Sequence, residues 1–138
     1  MSTIILLLAL FFCHFLADYT HLSTAWMLNA KRFGKPLFPI FCHALIHAFL
    51  MAFTISMYLL IRFGHPFWHF THADVSDAAF FIQLFTHFGI DVWKGKMNVW
   101  FPSLQSPANK WHWIVFGFDQ FLHASVIIII VYIVTLQP

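Results

Sequence analysis

The chain has 138 residues, of which 61% are hydrophobic and 20% aromatic, whereas only 9% are charged and none is glutamate. A soluble domain has about a quarter of its residues charged. The composition therefore excludes an ordinary soluble globular protein and predicts an integral membrane protein in a lipid bilayer. The net charge of +2, without a basic patch that alternates with aromatic residues, does not indicate nucleic-acid binding.

Four hydrophobic stretches predict four transmembrane helices, since a helix crosses a bilayer in about 20 residues. We expect spans at about 3–28, 37–62, 76–93 and 109–136, within a single domain over 1–138. No basic segment precedes the first stretch, so we expect it to be retained as a span rather than cleaved as a signal peptide. The expected fold is an all-α, polytopic bundle of four transmembrane helices.

The basic residues predict how this bundle is oriented. The loops after the first and third spans together contain six of them: Lys31, Arg32, Lys35, Lys94, Lys96 and Lys110. The second loop has only Arg62, at its edge. Because loops rich in lysine and arginine face the cytoplasm, we expect both termini outside it.

Each predicted helix carries two metal-competent side chains four residues apart. The pairs are His14/Asp18, His43/His47, His87/Asp91 and Asp119/His123. A spacing of four places both members on one face of a helix. Ionisable residues inside a span are costly and mark functional sites. The predicted topology allows all four pairs to share a layer in the cytoplasmic half of the bilayer, so we expect one common site.

The pairs also form a weak internal repeat. The segment His14–Asp18 matches His87–Asp91 in three of five positions, and the next span in each half carries a pair that ends in histidine. The chain is therefore interpreted as two helical hairpins of the same design, a kind of parallel repeat that membrane proteins use.

Five imidazoles and three carboxylates favour a transition metal such as Zn, Fe or Mn over Ca²⁺ or Mg²⁺. All eight side chains are candidate ligands, either of a dinuclear site or of one ion whose histidines are oriented by carboxylates. A metal with an open position activates water or oxygen, and hydrolysis is the favoured hypothesis. The predicted function is that of an intramembrane metal-binding protein, and the more specific hypothesis is a metal-dependent hydrolase.

Three alternatives stay open. Histidine–aspartate pairs between helices can be purely structural, although four pairs at compatible depths favour a site over that interpretation. The histidines could ligate a tetrapyrrole, haem or chlorophyll, which would leave three aspartates without a purpose. Chains of aspartate and histidine also mark ion pathways. If the pairs are structural or ligate a tetrapyrrole, the protein is a non-catalytic subunit of a larger membrane complex. A homo-oligomer is a further option.

The remaining histidines and the two cysteines are not predicted to be metal ligands. Five polar residues cluster on the second loop and are interpreted as interfacial, with their role left open: His65, His69, His72, Asp74 and Asp77. His21, two turns after His14, is a candidate partner for a ligand. Cys13 and Cys42 lie on different predicted helices at membrane depth, so no structural disulfide is expected.

Four segments, taken in order, resemble a family of small bacterial membrane proteins catalogued as domain of unknown function 3307. They are His14–Asp18 with Trp26 and Lys31, Cys42–His47, His87–Lys94 and Asp119–His123. The likeness covers nearly the whole chain, although the family usually has a Gln after the first Asp, where this chain has Tyr19-Thr20-His21. The resemblance implies a protein of the bacterial inner membrane in which the four motifs belong together, and it implies no substrate.

Overall fold

The computed structural model describes residues 2–64 and 70–136, with the backbone alone at 70–73. These residues form five α-helices and one short 3₁₀ helix, with no strand among them. The helices are α1 Thr3–Tyr19, α2 Ala25–Phe33, α3 Leu37–Phe63, α4 Phe70–Trp100 and α5 Lys110–Thr135, and the 3₁₀ helix covers Pro102–Gln105. The predicted all-α class is confirmed.

The first predicted span, 3–28, is wrong as a single helix. It breaks after Tyr19, where the Thr20 hydroxyl donates a hydrogen bond to the backbone oxygen of Leu16. The Thr24 side chain then accepts from the backbone N–H of Met27 and starts α2. Short polar side chains offer the backbone partners outside a helix, and the polar run over 20–24 therefore ends α1 and caps α2.

Helix α2 packs against the bundle and contains Lys31 and Arg32, which the sequence predicts in a solvated loop. It ends at Gly34, whose φ of 64° lies in the left-handed region that favours glycine. Gly34 packs directly against α4, since a Cβ built on Gly95 would lie 2.1 Å from the Gly34 nitrogen. The prediction that Lys31 and Arg32 lie in a loop is wrong, because this contact between two glycine backbones holds α2 against α4.

Helix α4 extends beyond its predicted bounds of 76–93 at both ends. Lys94 and Lys96 lie on the helix and not in the third loop, because lysine is a good helix former and no proline occurs before Pro102. Asp74 and Asp77 are exposed near its start. Of the histidines predicted on the second loop, His65 and His69 lie outside the described residues, as does the side chain of His72.

The helices alternate in direction around a shared interior. Helix α3 packs against α1, α2 and α4, and α5 packs against α1 and α4. An apolar core fills one end, with Leu6, Leu10, Ile55, Ile127 and Ile130 among its buried members. The late part of α1, the early part of α3, the late part of α4 and the early part of α5 meet at the other end. These four segments carry the four predicted pairs.

By length and composition two helices qualify as membrane spans, where four were expected. They are α3, Leu37–Phe63, and α5, Lys110–Thr135, each with a hydropathy of 2.1 over its best window. Helix α1 is apolar but has only 17 residues, because the break at Thr20 shortens it. Helix α4 is long enough, but polar residues interrupt it at both ends.

Candidate metal centre

The five site histidines form one group of imidazole rings in the interior. His47 and His87 stack with ring centroids 3.7 Å apart, and His87 lies 4.3 Å from His123. His14 is 4.8 Å from His47, and His43 is 4.7 Å from the same ring. All five side chains are buried. Helices α1, α3, α4 and α5 each contribute at least one ring, which is the arrangement that the i, i+4 spacing predicts.

Six of the eight predicted residues fall into two sets whose ligand atoms all lie within 4.8 Å of one another. One set is Asp18, His43, His47 and His87, and the other is His87, Asp91 and His123. In the first set, His43 Nε2 lies 3.0 Å from Asp18 Oδ1 and 3.2 Å from His47 Nε2. His14 and Asp119 belong to the same cluster but to neither set.

Ser23 determines the tautomer of the His43 imidazole. The Ser23 hydroxyl donates its only hydrogen to the backbone oxygen of Ala17, at 2.8 Å. The same oxygen lies 3.1 Å from His43 Nδ1, so it accepts a hydrogen from that nitrogen. A neutral ring protonated on Nδ1 has its lone pair on Nε2, and Nε2 is the atom directed at Asp18. Metal-binding histidines are oriented in this way by a partner on the opposite nitrogen.

His123 and His87 each have a partner at Nδ1 as well. His123 Nδ1 lies 2.9 Å from the backbone oxygen of Asp119, which can only accept, so the His123 lone pair is also on Nε2. His87 Nδ1 lies 3.4 Å from the Gln83 side-chain amide, which is buried beside it. The amide nitrogen faces Nδ1 and donates to it, so the neutral His87 ring carries its hydrogen on Nε2, unlike His43 and His123.

Polar atoms without a hydrogen bond accumulate at this cluster. Among the described residues, eight buried side-chain nitrogen or oxygen atoms have none, and seven of them belong to predicted ligands. They are both ring nitrogens of His14, Nε2 of His87, both carboxylate oxygens of Asp91, Oδ1 of Asp119 and Nε2 of His123. An isolated atom of this kind costs roughly 1–3 kcal/mol, and the Lys31 ammonium, 3.3 Å from Asp91 Oδ2, offsets part of the cost there. A bound cation would satisfy those of His87, Asp91 and His123 together, because the ligand atoms of these three residues lie within 4.8 Å of one another.

Lys31 of α2 places an ammonium group inside the cluster. Its Nζ lies 2.9 Å from Asp18 Oδ1, 3.3 Å from Asp91 Oδ2 and 2.9 Å from His43 Nε2. Burial disfavours the charged form, but the Asp91 and Asp18 carboxylates outweigh it and raise the pKa of Lys31 above its usual value. A cation therefore already lies among these lone pairs, which shows that the site attracts positive charge.

Asp119 is held by a second lysine at the edge of the cluster. Lys94 Nζ lies 2.5 Å from Asp119 Oδ2, which also accepts from the Gln120 amide. Its other oxygen, Oδ1, lies 3.6 Å from Nδ1 of His123. The backbone oxygen of Asp119 therefore accepts a hydrogen bond from the His123 ring, whereas the Asp119 carboxylate forms its main ion pair with Lys94.

A cavity of about 360 Å³ reaches the cluster from the α2 side. Asp18, Asp119, Lys31, Lys94 and Arg32 are among the residues that line it. The arrangement gives a small polar molecule access to the carboxylates. Chemically, the site can hold a cation by nitrogen and oxygen ligands and leave one side open to this cavity.

The family described as protein of unknown function (DUF3307) matches residues 6–138. The chain belongs to this family. No curated protein and no solved structure matches the chain.

Three residues that shape the site in this DUF3307 member lie outside the four predicted pairs: Lys31, Ser23 and Gln83. The sequence predicts Lys31 in a solvated loop, and the i, i+4 spacing does not point to Ser23 or Gln83. The polar run over 20–24 was the available signal, because a helix break there turns α2 back towards the bundle. His21, the predicted partner of a ligand, is exposed in the turn. Ser23, two positions later, makes the contact with a site histidine instead, at Nδ1 of His43.

Proposed function

We propose that this chain is an integral membrane protein that binds a transition metal inside a four-helix bundle and uses it for hydrolysis. One observation carries the proposal. Nε2 of His43 lies 3.0 Å from Asp18 Oδ1 and 3.8 Å from Asp91 Oδ2, and Nε2 of His123 lies 4.0 Å from Asp91 Oδ1. Lone pairs that face one another need a cation or a proton between them, and the fixed Nδ1 partners exclude protons on these two Nε2 atoms in the neutral rings. The Lys31 ammonium supplies such a cation beside His43, Asp18 and Asp91, so a metal ion that displaced it would meet ligands already in place.

The exposed surface supports a bundle in lipid with four spanning helices rather than two. Each long helix exposes large apolar side chains near the middle of its length, with between 47% and 65% of each side chain accessible: Phe12 and Phe15 on α1, Phe49 and Phe53 on α3, Phe81 and Phe85 on α4, and Phe118 and Phe121 on α5. Large apolar side chains exposed on every long helix are unfavourable in water. Contact with lipid or with other membrane subunits accounts for it.

The bacterial inner membrane, with both termini outside the cytoplasm, is the location that we propose. The basic residues of α2 and those near the α4–α5 connection lie at the same end of the structure. Arg32 Nη2 donates to Gln105 Oε1 at 3.3 Å, and the Asn98 amide donates to the Arg32 backbone oxygen. A single basic end is what the positive-inside rule requires of the cytoplasmic face.

Zn, Fe and Mn are the metals that suit a set of imidazole and carboxylate ligands. The two ligand sets share His87, so a second ion would need a further ligand; His14, whose ring centroid lies 5.6 Å from that of His87, belongs to neither set and could supply it. A bound ion with an open position would supply an activated water for hydrolysis. The chain's own part is to hold the ligands in place and to admit a substrate through the cavity.

A tetrapyrrole is less compatible with the same distances. The His47 and His87 rings are stacked at 3.7 Å, and His14 and His123 close the space beside them. Ligand atoms within 4.8 Å of one another leave room for ions and none for a planar macrocycle between the rings. The aspartates also have a role beside a metal ion and none beside a bis-histidine haem.

Elemental analysis of the purified protein tests the proposal. We expect a stoichiometric amount of Zn, Fe or Mn that is lost in His47→Ala and in His123→Ala, whereas the exposed His21→Ala retains it. A Soret band would instead indicate a tetrapyrrole. Folded protein without metal or pigment would contradict the proposal and favour structural pairs in a non-catalytic subunit.

A further inference from the structure

The cavity beside the cluster is lined by more basic groups than its own carboxylates balance. Lys31, Arg32 and Lys94 line it, together with Asp18 and Asp119. Lys31 and Lys94 are paired with carboxylates, but Arg32 has no carboxylate partner among the described residues. We propose that this cavity binds the phosphate group of a phosphate ester when the metal site is loaded. The inference rests on the proposed function, since it requires the metal.

Charge balance links this phosphate to the metal. Without metal, three carboxylates face three basic side chains in and around the cavity: Asp18, Asp91 and Asp119, and Lys31, Arg32 and Lys94. The set is then neutral and has little attraction for an anion. A bound divalent ion becomes the largest local charge and competes with Lys31 for Asp18 and Asp91. The ammonium of Lys31 is then released towards the cavity, and an anion is needed to restore neutrality.

The kind of basic groups and the size of the cavity favour phosphate over a smaller anion. Arginine donates from a planar fork that matches two phosphate oxygens, and lysine adds point charges beside it. The cavity of about 360 Å³ has room for a phosphate group with a substituent. Tyr19 and Gln120 also line it and offer further hydrogen-bond donors. Metal centres that act on phosphate esters place the ion directly against a phosphate oxygen.

Phosphate binding by the full-length protein in detergent tests the inference. Protein loaded with zinc and freed of excess metal is compared with chelator-treated protein, with inorganic phosphate as the probe and calorimetry as the readout. We expect binding that is at least about tenfold tighter in the loaded protein, since one divalent ion changes the balance by two charges. Metal content is measured on the same samples.

Two arginine variants locate the binding. Arg32→Gln removes the unpaired guanidinium and touches none of the metal-competent side chains, so we expect unchanged zinc content and roughly tenfold weaker phosphate binding. Arg62→Gln is the matched control, because Arg62 lies at the other end of the bundle, where it donates to the Tyr58 hydroxyl. It should leave both measurements unchanged.

The source of the phosphate is distinguished in nanodiscs of phosphatidylcholine with and without phosphatidic acid. Competition by phosphatidic acid against inorganic phosphate indicates a lipid headgroup, and unchanged binding indicates a soluble ester. Zinc-loaded protein that binds phosphate no better than the metal-free protein overturns the inference and leaves the metal site standing. Protein that takes up no zinc overturns the proposed function, and the inference with it.

Discussion

Replacing Ser23 with alanine tests whether the cluster is built to orient its histidines for a metal. The Ser23 oxygen accepts the hydrogen of His43 Nδ1 while the hydroxyl donates to the Ala17 backbone oxygen. In the alanine variant Nδ1 loses its hydrogen-bond acceptor, and only the Lys31 ammonium beside Nε2 still favours the proton on Nδ1. The ring can then carry it on Nε2 and donate to Asp18 Oδ1, 3.0 Å away, which removes the lone pair that would bind metal.

The size of the effect follows from the kind of contact that is lost. Partners that orient a metal-binding histidine contribute about 10- to 100-fold to metal affinity, which corresponds to about 1.4–2.7 kcal/mol. Ser23→Ala should therefore bind zinc 10- to 100-fold more weakly, as a competition titration against a chromophoric chelator measures. It does not remove a ligand, so the stoichiometry at saturating zinc should stay the same.

The matched control is Ser56→Ala. Ser56 is as deeply buried as Ser23 and donates a hydrogen bond to Ser76 at 3.0 Å, but it lies next to the apolar core. Both substitutions cost a buried hydrogen bond, roughly 1 kcal/mol of stability. Only Ser23→Ala should weaken zinc binding. Equal zinc affinity in the two variants would refute the claim that Ser23 orients a ligand.

Two further predictions concern how α2 is placed. Gly95→Ala should strongly lower the melting temperature and release α2, because the new Cβ would meet the Gly34 backbone. Gly89→Ala is the control and should be neutral or stabilising, because nothing lies within 4 Å of the Cβ it adds. Equal melting curves for the two variants would contradict the packing of α2 against α4. Lys31→Met should destabilise the metal-free protein by roughly 3–5 kcal/mol, because the buried carboxylates lose their cation. Zinc should stabilise the Lys31→Met variant more than it stabilises Lys35→Met, the control at an exposed lysine. Differential scanning with and without zinc measures this, and an equal zinc-induced shift in the two lysine variants would count against competition between Lys31 and the metal.

The sequence was sufficient to predict that the four pairs cluster, because one physical rule governs their placement. A spacing of four on an apolar helix places two side chains on its inner face. His14 with Asp18 and His87 with Asp91 even show the same separation between ring nitrogen and carboxylate, 3.3 Å. The order of helices then brings the four faces together.

The groups around those ligands could not be predicted from the same rule. Lys31 reaches Asp18 and Asp91 only because α1 ends at Tyr19 and α2 turns back, and that break depends on short polar side chains inside an otherwise apolar stretch. A hydropathy window averages over such a break. Basic residues near a span also indicate the aqueous side, and Lys31 is an exception because two buried carboxylates attract it.

X-ray absorption of the purified, metal-containing protein tests the central claim most directly. Cys13 and Cys42 each precede a site histidine by one position, so sulfur ligands are within the chain's reach in sequence. The geometry predicts nitrogen and oxygen ligands alone, for zinc at about 2.0–2.2 Å, with the outer scattering of several imidazoles. A sulfur shell at about 2.3 Å, or a metal surrounded by water oxygens without imidazole scattering, would contradict a metal centre formed by these histidines and aspartates.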